Sequence, residues 1–252
     1  MPERITSRAN PLVAALRRLA SSGAFRRESG RFLCDSPKLL REALQWGAGV
    51  DTVVYTAAAD LPPLPSSVRR VEVPEELMAW LSPMKTPQGV VFTCPLPSLA
   101  PPPVLPGGRY AVLDGVQDPG NVGTVLRTLD AFEGDGVILL PGCADPFGYK
   151  AVRASMGAVF RRPVYRCSIP ELSSLLGRSG LPLYGAALRQ DTADVRHVDL
   201  RRCAVAIGAE GQGLSEAVLD LCEKTVRIPM SGRCESLNAA AAAAVLLWEG
   251  YR

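Results

Sequence analysis

From Tyr110 onward, short apolar runs alternate with helix-like patterns, and this alternation limits the fold more than any other feature of the chain. Residues 110–113, 137–140, 164–166, 183–187, 205–207 and 226–228 have the length and composition of strands. Helical spacing lies between them, near 122–132, 146–157, 170–178, 215–222 and 236–251. Strands separated by helices cannot pair as hairpins. Each crosses over and returns beside a neighbour, so the pattern predicts an α/β domain with a parallel sheet covered by helices on both faces. Ligands of such sheets sit beyond the carboxyl ends of the strands. The glycines gather there: Gly115 and Gly120 after the first run, Gly208, Gly211 and Gly213 after the fifth, Gly232 after the sixth.

The region before Tyr110 has a different grain. Asn10-Pro11 reads as a helix start, since Asn caps and Pro suits the first helical position. Leu12, Leu16 and Leu19 then follow at helical spacing, with Arg17 and Arg18 on other faces. Ser36-Pro37 repeats the device, with Gly47 as the stop. Residues 53–55, 68–73 and 90–93 read as short strands, so 1–94 forms a small α/β module. Six prolines between Cys94 and Gly108 make 95–108 a stiff, extended linker, and 109–252 is the second domain.

Charge separates the two parts. Residues 1–41 carry nine Arg or Lys against three acids, although the whole chain of 252 residues nets only +3. A concentrated basic segment is the electrostatic mark of a nucleic-acid contact, and Arg8, Arg17, Arg18, Arg26 and Arg27 are its candidate RNA-binding residues. Arginine dominates lysine, which favours forked phosphate contacts over plain solubility. A solvated helix face is the bland alternative. No apolar run approaches the ~20 residues of a membrane span, and residues 1–10 lack a signal-peptide core, so a cytoplasmic protein is expected. Seven scattered cysteines with no C-x-x-C pair, and a single histidine, His197, argue against a zinc site; no metal is expected.

Four stretches carry the chemistry. Residues 208–213, Gly-Ala-Glu-Gly-Gln-Gly, fit neither a dinucleotide fingerprint nor a P-loop, yet three glycines in six residues let backbone approach a flat ligand closely. A strand-to-helix turn capped by Ser215 is the plain reading. Ile228-Pro229-Met230 ends a strand with carbonyls and an apolar wall suited to an adenine, or is an ordinary strand terminus. Ser236-Leu237-Asn238 opens the last helix, presenting hydroxyl, amide and free N–H groups, and six alanines follow, so something packs very close. Asn121 and Arg127 place an amide at a helix start and a guanidinium two turns in; pairing of Arg127 with Asp130 is the structural alternative.

Taken in this order, the stretches resemble the SpoU-type (TrmH-like) RNA ribose 2′-O-methyltransferases of the SPOUT superfamily, over about residues 110–252. Residues 5–7, 10–11, 31–33 and 82–89 are similar to the ribosomal-protein-like substrate-binding domain that precedes this domain in many members. The resemblance implies an α/β domain with a C-terminal trefoil knot, S-adenosylmethionine bound mostly by backbone, and a homodimer acting on RNA, ribosomal rather than transfer. It implies cofactor contacts at Gly208, Ile228 and Leu237, with Gly211 and Met230 as neighbours. It gives Arg127 the central role at the ribose hydroxyl, with Asn121, Glu210, Ser236 and Asn238 orienting it and the ribose. The alternatives are a transfer-RNA enzyme of the same kind, a base methylase, or a non-catalytic RNA- or ribosome-binding protein retaining the fold. Two departures stand out: relatives commonly follow Ser-Leu-Asn with Val-Ser where this chain has Ala239-Ala240, and an acidic–glycine pair where it has Asp35-Ser36-Pro37.

Overall fold

The computed structural model describes residues 3–189, 191–231, 233 and 236–252, so Gly232 and Cys234 lie outside the described residues. The chain forms two units: Met1–Pro97 together with Phe147–Phe160, and Ser98–Pro146 together with Arg161–Arg252.

The first unit contains β1 (Glu3–Arg4), α1 (Pro11–Ser21), α2 (Gly23–Ser29), β2 (Arg31–Asp35), α3 (Pro37–Gln45), β3 (Thr52–Tyr55), β4 (Arg69–Glu72), α4 (Glu75–Leu81) and β5 (Val90–Pro95). Its five-stranded sheet runs β1-β4-β3-β5-β2, with β2 antiparallel to β5 at one edge. Helix α1 begins as its sequence requires: Pro11 occupies the first turn, and the Asn10 side chain accepts the Leu12 N–H at 2.9 Å. Val13, Leu16 and Leu19 face the core, where Val54, Val71, Met78 and Val91 meet them. Ser36 caps α3 by accepting the Leu39 N–H at 3.2 Å, but does so at φ +83°, ψ +145°. That conformation belongs to glycine, and a side chain there costs on the order of 1–3 kcal/mol. The departure from the acidic–glycine pair therefore falls where the backbone most needs the glycine.

The second unit contains β6 (Arg109–Asp114), α5 (Pro119–Ala131), β7 (Gly136–Leu139), then β8 (Val164–Arg166), α7 (Ile169–Ser179), β9 (Leu183–Ala186), β10 (Ala193–Asp194), β11 (Cys203–Gly208), α8 (Glu216–Leu219), β12 (Lys224–Arg227) and α9 (Ala239–Tyr251). Its seven strands are all parallel, in the order β10-β12-β9-β11-β6-β7-β8. The six expected strands are present, joined at one edge by the two-residue β10, too short to give a periodic signal. Tyr110, Val112, Ile138, Leu172, Leu183 and Ala206 bury one face. Each large apolar side chain taken fully out of water there contributes roughly 1.5–3 kcal/mol.

The helix expected at 146–157 is shorter, α6 (Tyr149–Ser155), stopped by Met156 in the left-handed region at φ +50°. It also packs with the first unit rather than with the sheet it follows in sequence. Phe147 and Phe160 bracket it, and both rings pack against Phe32 of β2, with centroids 4.9 and 6.4 Å apart. The cause is the β2 edge, whose buried Phe32 needs an apolar cover that the first 97 residues do not supply by themselves.

Candidate functional site

At the carboxyl end of β11 the backbone folds onto itself. A Cβ on Gly208 would lie 2.0 Å from the carbonyl carbon of Gly213 and 2.3 Å from the Leu214 nitrogen, so no other residue fits. The Gly213 N–H donates to the Ala209 carbonyl at 2.9 Å, and Gly211 and Gly213 turn the loop at φ +83° and +71°. Beyond it the Ser215 N–H donates to Asp114 Oδ2 at the end of β6, at 2.8 Å. The Ser215 side chain makes no cap bond of its own, so Asp114, not a serine cap, anchors this turn.

The loop places Glu210 among residues from two other stretches. The Asn121 side-chain amide donates to Glu210 Oε1 at 2.7 Å. The Asn238 Nδ2 donates to the same oxygen and, at 3.2 Å, to Asn121 Oδ1. Both asparagines sit at helix starts. The Asn121 N–H is held by Asp118, which caps α5, and Asn238 caps α9 by accepting the Ala240 N–H at 2.9 Å. Three residues distant in sequence thus form one polar network at the ends of β6, β11 and the last loop. Helix α9 packs against α5, and its alanines permit the close approach: Ala239, Ala240 and Ala243 are buried. At its far end a Cβ on Gly250 would stand 2.7 Å from the Leu200 carbonyl oxygen.

Arg127 is exposed on α5, six residues after Asn121 and off the face that carries the network. Its expected structural partner is already taken: Asp130 accepts from Arg161 Nε and Arg162 Nε, both at 2.7 Å. Among the described residues Arg127 makes no ion pair. Ser236 is also exposed, in the loop before Asn238.

Gly208 is the last residue of β11 and Gly211 lies in the loop after it, Ile228 and Met230 follow β12, and Leu237 precedes α9. Met230 and Leu237 are each 38% exposed, large apolar side chains at the mouth of a polar loop cluster. Nothing stands within 4 Å of a Cβ built on Gly211. Two exposed apolar side chains and a glycine with open space beside it are compatible with a flat adenine carrying a thioether tail. The thiols elsewhere are core: burial pushes Cys167 and Cys222 up to about 11 and Cys203 up to about 12, far from a reactive thiolate. His197 lies exposed in a one-turn 3₁₀ helix after β10.

In the first unit, Arg17 lies 4.0 Å from the Trp80 ring centroid and Arg8 5.6 Å, while Arg18 lies 3.9 Å from Phe25. Arg8, Arg17, Arg18 and Arg27 are exposed. Arg26 is not: it is 5% exposed and its Nη1 donates to the Leu19 carbonyl at 2.6 Å. Its assignment as an RNA contact is corrected, because the buried guanidinium serves the C-terminal turn of α1, where it takes the Leu19 carbonyl. Trp80, absent from the sequence-based candidates, is the aromatic member of this face; an isolated tryptophan gave no periodic or spacing signal.

Residues 108–248 match the SpoU rRNA Methylase family, and residues 10–91 match the MRM3-like substrate binding domain. An uncharacterized tRNA/rRNA methyltransferase of Synechocystis is 36% identical, across 98% of this chain and 93% of the relative. The 23S rRNA (guanosine(2553)-2′-O)-methyltransferase RlmP of Bacillus subtilis is 30% identical, across 88% and 89%. The solved AdoMet-bound rRNA methyltransferase of Sinorhizobium meliloti superposes with a TM-score of 0.87 at 30% identity, covering 98% of this chain and 97% of that one. With a glycine-crowded loop and a shared amide–carboxylate network at the sheet edge, the chain belongs to the SpoU family of RNA methyltransferases, enzymes that use S-adenosylmethionine.

Proposed function

We propose that this methyltransferase modifies a ribose 2′-oxygen in ribosomal RNA. The observation that carries the reading is the network that opens on α5, Asn121 locked to Glu210 and Asn238, with Arg127 exposed on the same helix and, among the described residues, in no ion pair. The name of the Bacillus subtilis relative, a 23S rRNA 2′-O-methyltransferase, supports both the atom and the RNA.

S-adenosylmethionine, held by the backbone of Gly208, Gly211 and Ile228 between the side chains of Met230 and Leu237, supplies an electrophilic methyl on sulfur. With that group bound, the ribose oxygen would take the methyl as the sulfur–carbon bond broke, the sulfur leaving as a neutral thioether. The hydroxyl proton passes to water. An arginine, with a pKa above about 12, is a poor base. Arg127 acts instead by holding the neighbouring phosphate and stabilising the developing alkoxide, a role that needs a guanidinium with unused donors. Glu210 fixes the two asparagine amides, which together with Ser236 set the ribose. Arg8, Arg17, Arg18 and Arg27 hold RNA phosphates. The working unit is a homodimer formed through α9, where Trp248 is 48% exposed and stacks with Phe132 and Tyr251, an apolar surface a monomer leaves wet; a monomeric sedimentation mass removes this part.

The test is methyl transfer from labelled cofactor to ribosomal RNA followed by alkaline hydrolysis. A ribose product gives alkali-resistant dinucleotides, because a blocked 2′-oxygen cannot cleave the backbone. Label released in mononucleotides means a base is methylated, label only in transfer RNA means a transfer-RNA substrate, and no label in any RNA with cofactor bound means a non-catalytic binder.

A further inference from the structure

Two of the chain's four lysines, Lys85 and Lys150, meet in the first unit although 65 residues separate them. With Thr86, Tyr149 and Arg153 they line a cavity of about 510 Å³, open at the surface and walled on one side by Pro83. Three cations and no carboxylate line it. Lys85, Lys150 and Arg153 are exposed, and among the described residues none of them makes an ion pair.

A buried contact behind Tyr149 holds one of the three cations, Arg153, in place. Asp35, at the end of β2, is 2% exposed. Its Oδ2 accepts from the Tyr149 hydroxyl at 3.2 Å, and Arg153 Nη1 donates to the same hydroxyl at 3.0 Å. Asp35 Oδ1 has no hydrogen-bond partner. A buried, half-satisfied carboxylate is costly, and burial raises its pKa even with Arg153 near. It fixes Tyr149 at the cavity wall and draws Arg153 over the ring, 5.8 Å from its centroid, with four guanidinium donors unused. Pro83 is shared with the neighbouring groove, lined by Arg17, Arg18 and Trp80. The 82–86 stretch thus runs between two basic, aromatic-walled hollows.

We propose that the Lys85–Lys150–Arg153 cavity binds a phosphodiester of the substrate RNA, making α6 part of the RNA-reading surface. The strand then crosses Pro83, with Trp80 and Tyr149 offering ring faces to unstacked bases. The proposal rests on the protein's being an RNA methyltransferase and not on which RNA it modifies. An acidic protein surface is the other class of occupant; unstacked-base platforms on both sides of Pro83 favour RNA.

The test compares Lys85→Ala/Lys150→Ala with Arg166→Ala/Lys224→Ala, which removes the same charge from exposed positions of the second unit. The probes are deproteinised ribosomal RNA and polyuridylate. The cavity variant should lose about tenfold in RNA affinity and about 1.4 in the slope of log affinity against log salt, as expected for two lost single-strand phosphate contacts. Its uptake of S-adenosylmethionine and its melting temperature should stay at wild-type values, and the control pair should bind RNA as wild type does. Unchanged affinity for both probes overturns the proposal, as does an equal loss in the control. Weakened binding to ribosomal particles alone assigns the cavity to a protein and overturns it too. Loss of cofactor uptake by the wild type would instead strike the family reading, so the two failures are distinguishable.

Discussion

The loop cluster at the carboxyl edge of the second unit and the basic face of the first unit solve recognition in opposite ways. In the cluster, conformation is fixed by contact: Gly208 has no room for a Cβ, Glu210 already accepts from two amides, and Asn238 is committed to its helix cap. On the basic face, Arg8, Arg17 and Arg18 rest on aromatic rings and keep their charges for a ligand. The first arrangement tolerates almost no change of shape. The second tolerates change of shape and little change of charge. Arg127 is the exception: it is exposed on α5 and, among the described residues, makes no ion pair.

That exception gives the largest expected effect. Arg127→Ala should lower kcat by about 10³, the cost typical of removing one transition-state donor, while S-adenosylmethionine affinity stays within twofold; calorimetry showing lost cofactor binding would mean the residue belongs to the cofactor site. Gly208→Ala comes next. Its methyl must displace the backbone of residues 213–214, so unfolding in urea should show a loss of about 3 kcal/mol together with lost cofactor binding; a variant as stable as wild type would refute the contact-fixed description. Arg17→Glu/Arg18→Glu should weaken RNA binding by at least tenfold and flatten its salt dependence with unchanged stability. An altered melting temperature would show those arginines to be structural.

The two smallest effects concern the strand end beneath the basic cavity. Ser36→Gly loses a cap bond worth a few tenths of a kcal/mol and relieves a left-handed φ, so thermal melting should show a gain of about 1 kcal/mol. Asp35 has a folded pKa above its unfolded one, so its ionisation costs stability at pH above the folded value. That cost is relieved as pH falls through the folded pKa toward the ordinary carboxylate range. Asp35→Asn should remove this part of the pH dependence; an unchanged stability profile in that window would mean the carboxylate is better compensated than its lone oxygen indicates.

The same contrast decided what could be read from the sequence. Local rules were sufficient for the parallel strands, for the Asn10-Pro11 and Ser36-Pro37 helix starts, and for the glycines at the strand ends, because each depends on neighbours in the chain. The network of Asn121, Glu210 and Asn238 was accessible only through family resemblance, since no spacing rule joins residues from three loops. Arg26 misled because charge alone does not distinguish a guanidinium that caps a helix end from one that faces water. Segment 147–160 misled for a related reason: its helical pattern was legible, but its docking depends on Phe32, more than a hundred residues earlier. Lys85 and Lys150, ordinary on their own, acquire meaning only through that docking.

The excursion of 147–160 has a consequence for taking this protein apart. Because the chain leaves the first unit near Pro97, returns at Phe147 and departs again at Phe160, three covalent crossings join the two bodies. Cleavage within the proline-rich stretch would sever one of them and leave the halves tethered. A fragment ending at Pro97 would expose the Phe32 edge to pairing with other molecules, and the complementary fragment would trail an oily, unsheltered hook. Nature or an experimenter could exchange the first unit of this enzyme only by transplanting both pieces at once.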